Sequence, residues 1–98
     1  MEETPLQFSD IVRFEIPTYI DADGLCAIIR PRWPGTVRKE GGVWVISARF
    51  RRTRRDLAVL LRTVEGYVSE AGLQAIRYQL DGRFYILEAV AVEHSLAV

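Results

Sequence analysis

Apolar and polar side chains alternate from Phe8 to Ile16, with Phe8, Asp10, Val12, Phe14 and Ile16 on one face and Ser9, Ile11, Arg13 and Glu15 on the other. A period of two is that of a half-buried strand, and Pro17 closes it because proline has no N–H to give a ladder. Asp23-Gly24 reads as a turn. The apolar run Leu25-Cys26-Ala27-Ile28-Ile29 reads as a second strand, followed by a loop around Trp33 that Pro31, Pro34 and Gly35 interrupt. Gly41-Gly42 turns the chain into Val43-Trp44-Val45-Ile46-Ser47-Ala48-Arg49-Phe50, whose β-branched and aromatic content predicts a third strand.

The period then changes. Leu57, Leu60, Leu61, Val64, Val68 and Ala71 recur at the three-and-four spacing of one helical face. Thr53 stands where an N-cap belongs, Asp56 follows three residues on as in a capping box, and Gly72 is placed to stop the helix. These signals predict a helix from about residue 54 to 71. Gly66 in its middle costs about 1 kcal/mol against alanine, and reads as a close approach to the sheet.

Asp81-Gly82 is a strong two-residue hairpin signal. It pairs Leu80 with Arg83, Tyr78 with Tyr85 and Ile76 with Leu87 on one face, and leaves Arg77, Gln79, Phe84 and Ile86 on the other. The expected molecule is a single α+β domain over residues 1–98, with loose tails at 1–7 and 93–98. A mostly antiparallel sheet of about five strands carries one amphipathic helix on one face, in the order strand-strand-strand-helix-strand-strand.

One helix covers one face of such a sheet. Three strands nevertheless read as apolar on both faces: 25–29, 43–48, and Phe84-Tyr85-Ile86-Leu87 continuing through Ala89-Val90-Ala91-Val92. An uncovered second face would exceed the few hundred Å² of apolar patch usual for monomers. Either the sheet curls or is covered by the N-terminal segment, or a second copy packs there, or another protein does. The leading expectation is a homodimer through Phe84, Ile86, Val90 and Val92.

Composition narrows the class. Ninety-eight residues, 49% of them hydrophobic and 27% charged, suit one modest core and argue against disorder. A single cysteine, Cys26, forms no internal disulfide. The acidic opening Met1-Glu2-Glu3-Thr4-Pro5 and the absence of a long apolar run predict a cytoplasmic chain without signal peptide or membrane span.

The net charge of zero hides regional charges of −5 over residues 1–29, +8 over 30–55 and −3 over 56–98. Twelve arginines against one lysine, with no asparagine, is the bias GC-rich codons produce, so the choice of arginine says little. Its placement says more. Arg49, Arg51, Arg52, Arg54 and Arg55 bracket Thr53, where cations oppose the helix macrodipole. Three readings stay open: side chains in water or paired with acids such as Asp21, Asp23, Glu65 or Glu70; a phosphate or nucleic-acid site; and a surface for an acidic protein. A pI near 6.6 and the lack of any nucleic-acid motif weigh against the second. Trp33, Trp44 and Phe50 would stack on bases if exposed, while Trp44 and Phe50 are more simply core.

Other candidates fall away on chemistry. Asp21-Ala22-Asp23-Gly24 lacks the third acid and the distal glutamate of a calcium loop. Cys26 reads as a small buried hydrophobe. One histidine, His94, does not build a zinc site or a triad with what is here. Gly41-Gly42 lacks phosphate-loop spacing. Glu88 would serve as a catalytic acid only if buried, and reads instead as edge-facing. No catalytic residue, metal or cofactor is expected. The sequence reading is a non-enzymatic assembly module, with an anion or nucleic-acid binder second and a small enzyme third.

Overall fold

The computed structural model describes residues 10–89. Along them run β1 (Ile11–Ile16), α1 (Tyr19–Ile29), β2 (Gly35–Glu40), β3 (Val43–Arg49), α2 (Arg54–Glu70), β4 (Ala75–Leu80) and β5 (Arg83–Glu88). The expected α+β class and five-stranded antiparallel sheet are present, with two helices rather than one and a partly different set of strands.

The segment expected as a strand at 25–29 is the second half of α1, and Asp23-Gly24 is no turn. Thr18, extended at φ −124° and ψ 155°, caps the helix by accepting from the Asp21 N–H, and Asp21 places an acid in the first turn. Ala22, Leu25, Cys26 and Ile29 are buried at the spacing of one helical face. Gly24 lies under the Tyr67 side chain of α2: a Cβ there would lie 2.6 Å from the Tyr67 hydroxyl. The close-approach glycine is thus Gly24. Gly66, to which the sequence assigned that role, faces open space.

The strand that replaces 25–29 in the sheet is β2. Gly41 and Gly42 have φ of 55° and 86°, the left-handed pair of a two-residue hairpin, and Glu40 pairs with Val43 back to Gly35 with Ala48. Asp81 and Gly82 do the same at φ 55° and 78°, and the register Leu80–Arg83, Tyr78–Tyr85, Ile76–Leu87 is as expected.

At its start, α2 is capped by Thr53, which accepts from the Asp56 N–H. It ends in a Schellman motif, with Leu73 N–H to Val68 O and Gly72 N–H to Ser69 O around Gly72 at φ 78°. Leu60, Val64 and Val68 are buried and Leu57 and Leu61 half-buried; Ala71 is exposed at the C-cap.

The strand order is β2-β3-β1-β4-β5. Val12, Phe14 and Ile16 of the central strand have no exposure and form one core with Ile46, Ala48, Ile76 and Leu80 from neighbouring strands and the apolar faces of both helices. Burial of side chains this size contributes about 1.5–3 kcal/mol each, so β1 is the axis on which both halves of the sheet depend. The β1-α1-β2 connection straddles β3, and β3-α2-β4 straddles β1. This is the split β-α-β, ferredoxin-like arrangement, with β5 added outside β4. That fold hosts many unrelated activities, so function has to be read from its surfaces.

Candidate functional site

The end of β3 and the start of α2 meet the Pro31–Pro34 loop at a buried carboxylate. Asp56, 7% exposed, accepts from Trp33 Nε1 at 3.0 Å and from the Arg51 N–H at 2.7 Å, both on Oδ2, while Oδ1 lies 3.5 Å from an Arg32 nitrogen. The expected capping box is therefore half made. Thr53 caps Asp56, but the Asp56 side chain turns to the strand end and the loop, and the Thr53 N–H goes to the Arg51 carbonyl. One acid thus ties the proline loop, 23 residues away at Trp33, to the strand end and to the first turn of α2.

Around it lies a cavity of about 450 Å³ lined by Asp10, Arg32, Trp33, Pro34, Arg49, Phe50, Arg51, Arg52 and Asp56. A smaller one of about 240 Å³ adjoins it through Arg32, Arg51 and Asp56, and adds Thr53 and Arg55. Of the five arginines singled out from sequence, Arg49, Arg51 and Arg52 share the larger cavity and Arg55 the smaller; Arg54 lines neither. Arg32, from the loop after α1, completes the ring. No local pattern marks it, since only the packing of α1 brings it there.

Asp10 lies 3.6 Å from Arg49, and Asp56 3.5 Å from Arg32. Asp21, on the first turn of α1, accepts from Thr18 and from Tyr67, bracing α1 against α2. Burial, then that hydrogen bond, then the charges of Asp21 and Asp23 raise the Tyr67 phenol above its ordinary value of 10.0. The aromatics offered for stacking are not available at the junction: Trp33 and Phe50 are each 3% exposed. Trp44 is half-buried against Tyr19 and Lys39 on the helix side.

The open face of the sheet differs from the expected apolar surface. Its centre carries ion pairs, Arg13–Glu40 at 2.6 Å reaching across β3 and Arg77–Glu15 at 3.0 Å, among which Val45 is buried. Two of the three strands thought to be apolar on both sides lose that character, 25–29 because it is a helix and β3 because charged neighbours cover its outward valine.

The third keeps it. On β5 Phe84, Tyr85 and Ile86 are 52%, 41% and 62% exposed, with Arg77 stacked 4.4 Å from the Phe84 ring centre. Val90 and Val92 lie outside the described residues, as does His94.

Glu88 is exposed on the same edge strand, and Cys26 is buried in α1 with an Arg30 nitrogen 3.2 Å from its sulfur. Among the described residues no cluster of acids, histidine and cysteine has metal-binding geometry, and no helix is long and apolar enough to cross a membrane. No family model matches the chain, and neither a curated protein nor a solved structure matches it.

Proposed function

We propose that the protein is a non-enzymatic assembly module that self-associates by pairing its β5 edge with that of a second copy. The observation that carries this reading is the difference between the two sheet edges. β2 is guarded by Arg38, Lys39 and Glu40, the charged residues that normally protect a free edge. β5 holds its charges at the ends, Arg83 and Glu88, and presents three large exposed apolar side chains between them.

Strand parity supports a second copy as the occupant. The two-residue hairpin and the Ala89 N–H to Gln74 O bond direct the backbone groups of Arg83, Tyr85, Leu87 and Ala89 toward β4. Those of Phe84, Ile86 and Glu88 then point outward. A two-fold axis at Tyr85 sets Phe84 opposite Ile86 of the second copy, twice, with both pairs hydrogen-bonded and their side chains on the open face. The contact is self-complementary without any further change of the chain.

Light scattering tests this. The expected mass is about 22 kDa, twice the 11.2 kDa of one chain. Ile86→Lys places a charge on the proposed seam at an exposed position, and is expected to yield a folded monomer. A wild-type mass of one chain at micromolar concentration overturns the reading.

A further inference from the structure

The β3–α2 junction carries more positive charge than its own acids answer. Leaving Arg52 aside, four arginines among the described residues line the two adjoining cavities, Arg32, Arg49, Arg51 and Arg55, against two aspartates, Asp10 and Asp56. Both acids are engaged, Asp10 with Arg49 and Asp56 with Arg32 and two N–H donors. Arg51 and Arg55 form no ion pair among the described residues. Both line the same opening as Arg32.

We propose that this cleft binds a small phosphorylated ligand through its phosphate groups, with Arg32, Arg51 and Arg55 as the principal contacts. The guanidinium fork donates two parallel hydrogen bonds to adjacent oxyanion oxygens, and three forks around one opening suit a multiply charged group. The cavity these three arginines share is about 240 Å³ and adjoins the larger one of about 450 Å³, which suits a compact phosphate group with the rest of a small ligand beside it. Recognition rests on charge, because Trp33 and Phe50 are buried and offer no ring face to a base.

A nucleic-acid strand fits less well. It requires a continuous basic track, whereas the neighbouring sheet face alternates sign through the Arg13–Glu40 and Arg77–Glu15 pairs. That face also lacks aromatics on the two central strands, where single-strand-binding sheets of this topology stack their bases.

The test is calorimetric titration of the full chain with inorganic pyrophosphate at low ionic strength. The expected result is saturable binding that weakens with added salt. It falls about tenfold or more for each arginine removed in Arg51→Gln and Arg55→Gln, the scale of losing a charge-assisted hydrogen bond. Arg38→Gln with Arg62→Gln removes two exposed charges elsewhere, and is expected to leave affinity nearly unchanged. Circular dichroism shows whether each variant is folded, and light scattering reports self-association separately, since none of these residues lies on β5. Absence of pyrophosphate binding overturns the proposal, as does an equal loss in both variant pairs. An oligonucleotide or acidic peptide binding through these arginines where pyrophosphate does not also overturns it.

Discussion

Replacing Asp56 with alanine removes the acceptor that joins the end of β3, the proline loop and the first turn of α2. Trp33 is 3% exposed, so its indole N–H is left in the interior without a partner, and the Arg51 N–H loses its 2.7 Å bond. Hydrogen bonds to a charged acceptor are worth about 1.5–3 kcal/mol each. The Arg32 contact, long at 3.5 Å and made by a side chain 58% exposed, adds at most about 1 kcal/mol. Water reaching the Arg51 N–H recovers part of its share, which brings the expected loss to about 3–4 kcal/mol. For a domain this size that lowers the melting midpoint by roughly 12–30 °C. Asp56→Asn retains one carbonyl acceptor and is expected to lose about half as much.

Urea denaturation followed by circular dichroism measures both variants. A double-mutant cycle with Trp33→Phe isolates the indole bond, with an expected coupling of about 1 kcal/mol or more. If Asp56→Ala unfolds within about 0.5 kcal/mol of wild type, the typical spread of neutral surface changes, Asp56 is not the junction's anchor.

Further outcomes follow from the two helical glycines and from Tyr67. Gly66→Ala is expected to stabilise by about 0.5–1 kcal/mol, because Gly66 faces open space inside α2 and alanine only lowers the helix's entropic cost. Gly24→Ala is expected to destabilise despite the same change in propensity, because its Cβ meets the Tyr67 hydroxyl; combining it with Tyr67→Phe restores part of the loss, measured by the same denaturation. Tyr67 is held neutral in the fold by burial and by Asp21, so its contribution is complete below pH 10.0 and fades as pH rises through its raised folded value. Wild type is therefore expected to lose stability faster than Tyr67→Phe at alkaline pH, and parallel profiles would contradict this.

The run 25–29 illustrates where period alone fails. Five consecutive apolar residues suit a buried strand or a buried helix equally. What separated them was upstream: Thr18 as cap, Asp21 three residues on, and Ala22, Leu25, Cys26 and Ile29 at helical spacing, the same signals that identified α2. Likewise Gly41-Gly42 carries the turn chemistry of Asp81-Gly82, which implied a strand on both sides and hence β2. The run 25–29 satisfied two templates at once, whereas Thr36-Val37-Arg38-Lys39-Glu40 is too polar to read as a strand by period and only the glycine pair after it points to one.

The sequence by itself determined β1's buried face, the start and stop of α2, the register of the β4–β5 hairpin and the basic block around Thr53. Each depends on neighbours within one or two turns, through backbone hydrogen bonding and side-chain period. Tertiary structure alone decided that Arg32 and Trp33 meet Asp56 across 24 and 23 residues, that Gly24 rather than Gly66 is the point of contact, and that charge covers the open face. Those facts follow from which side of the sheet α1 packs on and how the strands are ordered, and these are set by burial summed over the whole core rather than by any local stretch of chain.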